Sequence, residues 1–305
     1  MSSKPTLSIN QKNIDNKFGT LGLTELICFL RDSGEFDISY HNDEIKMMKG
    51  DRAGILYYNG KKIYLDVWEY SLPTYSKKVY DSEFDLIIKL QHPDMDEKLF
   101  EKKFRRKQIL PDITPEERAE FVSKIVPWTF FASRMLRPFI GKEDEIEQKP
   151  IERVGFFCGK AWRARKAMTK KIEDIGIEVV RSNQGTRRGK PLTNEEYLHR
   201  MQTSKYGLVL HGRGSHVTEA KNRREIDYMM LKKPLLLNYK PNYYNSLVKS
   251  KHYICIKEKT DFKTIDSQYN IDEIAEAGYQ WYLDNASPTG VVKTFKQIMN
   301  ERLGV

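Results

Sequence analysis

Ser204-Lys-Tyr-Gly-Leu-Val-Leu-His-Gly-Arg-Gly-Ser215, followed by Asn222-Arg-Arg-Glu225 and Lys233-Pro-Leu-Leu-Leu-Asn238, decides the fold of this chain. The apolar run Gly207 to Leu210 predicts a buried strand, and Gly212-Arg213-Gly214 predicts a tight turn at its carboxyl end. A helix over Glu219 to Leu231 and a second buried strand over Pro234 to Leu237 complete the unit. Strand, glycine loop, helix and strand in that order are the grammar of a parallel α/β sheet. Backbone N–H groups and arginines at such a loop can surround a diphosphate, while a carboxylate nearby holds a sugar hydroxyl. The pattern points to a nucleotide-sugar site.

Working outward, the same alternation begins near residue 151. Arg153 to Cys158 predicts a strand, Ala161 to Ile175 a helix, and Ile177 to Val180 a strand. Thr193-Asn-Glu-Glu196 has the form of a capping box, in which the threonine side chain and Glu196 satisfy each other's orphan amides, so a helix runs from there toward Thr203. Tyr243 to Lys249 predicts a short helix and Tyr253 to Ile256 a strand. Two closing helices come after it over Ile271 to Leu283 and Pro288 to Leu303, the second with Ser287 as its cap and Pro288 in its first turn.

The first half is less regular. Leu23 to Leu30 predicts a helix, Ile55 to Tyr58 and Lys62 to Val67 two strands joined through Asn59-Gly60, and Phe84 to Leu90 another strand. Thr114-Pro-Glu-Glu117 opens a helix that runs through Lys124, and Pro127 interrupts it. Gly141 to Lys149 is short, charged and poor in apolar groups. The expected division is therefore a first domain over 1–145 and a second over 146–305.

Composition bounds the function. The chain has 305 residues, 39% hydrophobic and 11% aromatic, which is enough to bury two cores and excludes disorder as a description of the whole. A formal charge of +10 favours an anionic ligand or surface without choosing among nucleotide, nucleic acid and lipid headgroup. Cys28, Cys158 and Cys255 stand far apart and outside any paired spacing. No zinc cluster or disulfide framework is expected, and a reducing compartment fits best. Neither a signal peptide nor a run of about 18 apolar residues is evident. The expectation is a soluble cytoplasmic protein, with peripheral membrane contact left open and the oligomeric state undetermined.

The candidate donor-site residues derive from donor chemistry. Gly212 and Gly214 let the loop turn sharply, and Arg213 offers a fork of donors to phosphate. On the helix behind, Arg223 faces phosphate, Glu225 faces ribose or the transferred sugar, and Arg224 is left to the surface, because adjacent helical residues point in different directions. Arg163, in the basic cluster Lys160, Arg163, Arg165 and Lys166, is a further phosphate candidate. His211 is placed to orient donor or acceptor. Gly185-Thr-Arg-Arg-Gly-Lys190 is a second cationic loop, read as solvated.

Four segments resemble the donor-binding half of a GT-B glycosyltransferase, in particular the CAP10-like and exostosin-like groups. They are Arg153-Val-Gly-Phe-Phe-Cys-Gly159, Tyr206-Gly-Leu-Val-Leu-His-Gly-Arg-Gly214, Arg223-Arg-Glu225 with Lys233-Pro-Leu-Leu-Leu237, and Trp281-Tyr-Leu-Asp-Asn-Ala-Ser-Pro288. The resemblance spans about the last 150 residues. It implies an α/β protein of two Rossmann-like domains facing a cleft, the carboxyl domain holding a nucleoside-diphosphate sugar, UDP- or GDP-linked, and the amino domain a carbohydrate or glycan acceptor. It implies Arg213 and Arg223 on phosphate, Glu225 on ribose, and Gly212 and Gly214 as shapers of the loop. Lys233 stands where some relatives carry a second glutamate.

Transfer needs the leaving diphosphate stabilised by arginines and helix N–H groups and, for an inverting reaction, a base for the acceptor hydroxyl. A retaining reaction would need no such base. Asp66, at a predicted strand end beside Trp68, Glu69 and Tyr70, leads, with Glu69 and His92 as alternatives. The catalytic set is thus Asp66, Arg213 and Arg223, with no metal and no cofactor.

Three competing readings stay open. His92-Pro-Asp-Met-Asp96 carries the Asp-x-Asp spacing of metal-dependent GT-A glycosyltransferases, in which Asp94 and Asp96 would hold a divalent cation. Lys102-Lys-Phe-Arg-Arg-Lys107 and the other basic segments could instead track a nucleic-acid backbone, although no recognition fold connects them. A non-catalytic nucleotide-dependent interaction protein would keep the carboxyl-terminal loop and lack the base.

Overall fold

The computed structural model describes residues 4–11, 23–43, 53–66, 76–90, 94–95, 113–129, 136–158, 170, 172–173, 177–180, 192–210, 217–220, 223–257 and 260–305. It is a mixed α/β protein with parallel-rich sheets covered by helices. The chain forms two compact units. The first comprises 1–131, 242–245 and 284–305, the second 132–241 and 246–283. The last helix belongs with the first unit.

In the first unit, β1 (Thr6–Asn10), β2 (Asp37–His41), β3 (Ala53–Tyr58), β4 (Lys61–Asp66), β5 (Leu86–Lys89) and β7 (Ile125–Pro127) form a sheet ordered β2-β1-β3-β4-β5-β7. A two-residue strand, β6 (Asp94–Met95), lies outside that sheet. β1 runs parallel to β2, and β4, β5 and β7 are parallel to one another, but β3 is antiparallel to both neighbours. The reason is the Asn59-Gly60 turn expected from sequence. Both residues have positive φ, 46° and 78°, which suits the tight hairpin turn that returns β3 directly into β4. Leu7, Ile9, Leu56, Ile63, Leu65 and Ile87 are buried along the sheet.

The final helix, Pro288–Leu303, begins as its sequence requires. Ser287 accepts from the Gly290 amide and Pro288 occupies the first turn. It packs on the helix Leu23–Asp32 of the same unit. Its Phe295 is fully buried and meets Phe36, Tyr58 and Trp128 at ring-centroid distances of 6.0, 5.5 and 5.6 Å. Aromatic burial of this kind explains why a helix distant in sequence closes the first unit.

The second unit is built on an all-parallel sheet of β8 (Arg153–Cys158), β9 (Ile177–Val180), β10 (Ser204–Val209), β12 (Leu235–Leu237) and β14 (Tyr253–Cys255), ordered β14-β12-β10-β8-β9. Strands buried on both faces read as continuous apolar runs, as Leu235–Leu237 does. Phe157, Leu208, Leu210, Leu236, Ile254 and Ile274 share one core cluster. Thr193 forms the expected capping box with Glu196 at the head of the helix Asn194–Gln202, and Thr114 does the same for Pro115–Ser123 in the first unit.

Two expected elements differ. The helix starts at Arg223, not Glu219, because Val217–Ala220 is a short strand, β11, paired in parallel with β13 (Lys240–Pro241). Val217 and Thr218 are β-branched and prefer that extended state. Tyr243 to Lys249 is not helical. Its end is held instead by the ring of His252, which accepts from the Val248 amide at 2.8 Å. Among the described residues no helix is long and apolar enough to cross a membrane.

Candidate functional site

The order β14-β12-β10-β8-β9 contains one reversal. From β8 the chain moves outward to β9, then returns to place β10 on the opposite side of β8 and continues to β12 and β14. In open α/β sheets the crevice at the carboxyl ends of the strands flanking such a reversal is where ligands bind, because the two outgoing loops part there. Here those ends are Cys158 and Val209–Leu210. The sequence loops beyond them begin at Gly159 and His211.

Glu225 lies in the first turn of the helix Arg223–Met230, which leads from this edge back along the sheet. Its side chain is fully enclosed, and its Oε1 accepts a hydrogen bond from the phenol of Tyr239, just beyond the carboxyl end of β12. A buried carboxylate must be compensated by donors, and Tyr239 supplies one of them. Arg223 is partly buried at the head of the helix.

The sequence reading leaves Arg224 to the surface. Instead it is partly buried, with its guanidinium 6.0 Å from the ring centroid of Tyr197. Tyr197 in turn packs edge-on against Phe156 of β8 at 5.2 Å. Burial pushes the Tyr197 hydroxyl up to about 12, opposed by the Arg224 charge. Burial likewise raises the Cys158 thiol, again against the charge of Arg224. Arg224 thus brings positive charge close to the end of β8. A flat cation stacked on an aromatic ring keeps its charge while its stem is buried.

The helix is seated by a close approach. A Cβ placed on Gly207 would stand 2.5 Å from Cγ of Tyr228, so only glycine fits that point of β10. The Tyr228 hydroxyl then donates to the Phe156 carbonyl at 3.0 Å. These two contacts fix the helix against β8 and β10 and so fix the height of Glu225 at the sheet edge.

Of the residues expected at the site, Glu225 and Arg223 stand together on this helix, and Asp66 lies in the first unit at the end of β4. Arg163, His211, Gly212, Arg213 and Gly214 lie outside the described residues, as do Glu69, His92, Asp96 and the basic segments 102–107 and 185–190. Asp94 lies in β6, and its side chain is likewise outside the described set. Among the described residues no group of three or more His, Cys, Asp or Glu is arranged to hold a metal ion.

Asp66 is fully buried and accepts from Lys89 Nζ at 2.7 Å across the paired ends of β4 and β5. Burial pulls the Lys89 ammonium below the ordinary lysine range, and the Asp66 carboxylate pulls it back.

Sequence reasoning missed Lys89, Tyr197 and Tyr239. A lysine inside Leu86-Ile-Ile-Lys89 was the available signal for the first, since a buried ammonium demands a partner. Tyr197 and Tyr239 carried no local signal. No protein-family model matches this chain, and no curated protein matches it at a significant level.

Proposed function

We propose that this chain is a GT-B-like glycosyltransferase that moves a sugar from a UDP- or GDP-linked donor to a carbohydrate or glycan hydroxyl, with no resident metal. One observation carries the proposal. Strand order reverses between β8 and β10, the feature beside which open α/β sheets bind ligands, and Glu225 is held at that sheet edge at the head of a helix that begins with Arg223 and Arg224.

The roles derive from charge. A nucleoside diphosphate presents two phosphates and two ribose hydroxyls. Arg223, with Arg213, Arg163 and the backbone amides shaped by Gly212 and Gly214, would meet the phosphates, and His211 would orient the donor. Glu225 would accept from ribose. As the glycosidic bond breaks, negative charge grows on the leaving diphosphate, and fixed cations and N–H dipoles stabilise that charge more than they stabilise the intact donor. The acceptor hydroxyl needs a base if the reaction inverts. Asp66 can serve only if its bond to Lys89 opens when acceptor binds. All three cysteines, Cys28, Cys158 and Cys255, are free thiols, which supports a reducing, cytoplasmic setting.

The test is a panel of UDP- and GDP-sugars presented to the purified chain, with binding and sugar transfer or donor hydrolysis measured with and without a chelator. Donor binding and turnover that survive chelation are expected. Activity that needs a divalent cation would move the chemistry to Asp94 and Asp96. Salt-sensitive oligonucleotide binding with no donor binding would replace the proposal by a nucleic-acid function.

A further inference from the structure

We propose that the outer edge of β2 pairs antiparallel with the same edge of a second copy of this chain, making a symmetric dimer whose two-fold axis passes through Ser39. The surface belongs to the first unit, and the inference is independent of the donor site proposed above.

β2 ends the sheet order β2-β1-β3-β4-β5-β7, so among the described residues it pairs on one side only, with β1. An edge strand presents a row of N–H and C=O groups to any strand that approaches, and proteins blunt such edges with lysine, proline or a bulge. The opposite edge, β7, is three residues long and ends in Pro127. β2, Asp37-Ile-Ser-Tyr-His41, carries no lysine, arginine or proline, although the chain has 52 Lys and Arg to place. Its register with β1 is unbroken from Asp37 to His41, so no bulge turns the edge away.

The hydrogen-bond phase of β2 decides which groups face outward. The Asp37 amide donates to the Pro5 carbonyl at 3.0 Å, so Asp37, Ser39 and His41 turn their backbone groups toward β1. Ile38 and Tyr40 turn theirs to the open edge, because successive residues of a strand alternate. With Ser39 on the axis, Ile38 stands opposite the partner's Tyr40, and such a pair exchanges both of its N–H···O bonds. Asp37 comes level with the partner's His41, so no like charges meet within the strand. Moving the axis to Tyr40 would set Asp37 against the partner's Asp43, and moving it to Ile38 would leave Tyr40 and His41 beyond the partner's strand. Past the strand ends Glu35 and Asp43 come level, each already engaged, by Lys296 Nζ and by the Tyr57 hydroxyl.

The side chains fit the same partner. Ile38 and Tyr40 share a face of the sheet with Leu7 and Ile9, their neighbours in register on β1. Leu7 and Ile9 are fully buried whereas Tyr40 is 55% exposed, so the apolar face runs out uncovered at β2. A two-fold axis normal to the sheet puts Ile38 and Tyr40 of both copies on that one face, where an aromatic meets a β-branched residue across the strands on each side of the axis. One short strand pair buries little surface, so the dimer belongs at the small, reversible end of interfaces.

Sedimentation equilibrium of the full chain from about 1 to about 100 μM measures association in the range where a small interface acts. Wild type should pass reversibly from monomer to dimer. Ile38→Pro removes an outward amide and leaves the β1 ladder intact, and Tyr40→Lys places a charge on the edge. Either should raise the dissociation constant by about tenfold or more. Ser39→Cys reads the register. Ser39 stands opposite the partner's Ser39 as a non-hydrogen-bonded pair, with Cα atoms about 4.5 Å apart, inside the roughly 4.4–6.8 Å span of a disulfide. Mild oxidation should link Ser39→Cys into dimers and leave wild type and Asp37→Cys unlinked, since Asp37 faces the partner's His41.

Wild type that stays monomeric across the range overturns the proposal, even if the edge captures some other protein. A dimer that either edge variant leaves unchanged, when circular dichroism shows that variant folded, sits on another surface and overturns it too. Failure of Ser39→Cys to link, or equal linking by Asp37→Cys, overturns the register and with it the axis at Ser39. If neither edge variant folds, Ser39→Cys and Asp37→Cys decide by the same two outcomes.

Discussion

Lys89 donates from Nζ to Oδ2 of Asp66 at 2.7 Å, and the two residues face each other at the carboxyl ends of adjacent parallel strands with no solvent exposure. A buried ion pair is weak evidence for stability, because replacing both charges by apolar groups is often neutral, but removing one partner strands the other. Asp66→Ala is therefore expected to cost roughly 3–5 kcal/mol, and the double variant Asp66→Leu with Lys89→Met to recover most of that loss. Denaturant unfolding of the variants checks this. A cost below about 1 kcal/mol for Asp66→Ala would mean that the pair is compensated elsewhere.

The same pair yields a second prediction about catalysis. If Asp66 only holds Lys89, the double apolar variant should keep sugar transfer wherever the wild type shows it. If Asp66 is the base, transfer should fall by at least 100-fold, the usual scale of general-base catalysis, while donor affinity is kept. Steady-state kinetics alongside donor binding separate the two outcomes.

Gly207 and Tyr228 define the seat of the helix that carries Glu225. An added methyl at Gly207 meets Cγ at 2.5 Å and Cβ at 2.7 Å, atoms close to the Tyr228 backbone that cannot swing aside. Gly207→Ala is expected to destabilise by about 1–3 kcal/mol through overpacking. Adding Tyr228→Gly, which removes both Cβ and Cγ, should relieve the clash, so the two costs should not add. A thermal unfolding cycle over the two single variants and the double variant measures that coupling.

What the sequence made readable was whatever is encoded by neighbours. The caps at Thr114, Thr193 and Ser287, the Asn59-Gly60 turn and the apolar runs of β8, β9 and β12 all depend on residues within a few positions, and the structure has each of them. Long-range partners left no such trace. The return of Pro288–Leu303 to the first unit depends on Phe295 finding Phe36, Tyr58 and Trp128. The setting of Glu225 depends on Tyr239, 14 positions later on the next strand end. Short apolar spacing also misread Tyr243 to Lys249, where a side-chain bond to His252 replaces helical pairing. Arg223 and Glu225 were placed on one helix from sequence alone, but the tyrosines beside that helix were not foreseen.

The capping box at Thr193 is a local test of how the edge of the second unit is built. Its side chain accepts from the Glu196 amide at 3.1 Å, and Glu196 answers at the Thr193 amide at 2.7 Å. Thr193→Ala should cost about 0.5–2 kcal/mol. Because Tyr197 on that helix carries the Arg224 guanidinium, the same change should loosen Arg224 as well. Hydrogen exchange over Asn194–Gln202 and Arg223–Met230 would show both effects, or only the first if the two helices respond independently.

Acid sensitivity should trace in part to Asp266. Lys205 and the Tyr206 hydroxyl both donate to its carboxylate, and these bonds hold it below its ordinary value of 3.8. A carboxylate depressed in the folded state binds fewer protons than the same group in the unfolded chain. Its contribution to stability is therefore fully present above 3.8 and is lost as pH falls through the lower folded value. Asp266→Asn should leave a flatter stability curve below pH 3.8 and a smaller difference from its own neutral-pH stability. The carboxylate is about half exposed, with 52% of its side chain accessible, so salt should shrink the Lys205 part of the effect while the enclosed Tyr206 bond persists. Unfolding free energies measured across acid pH at low and high salt test both parts. Identical pH slopes for Asp266→Asn and wild type would show that these bonds survive protonation or are absent in solution.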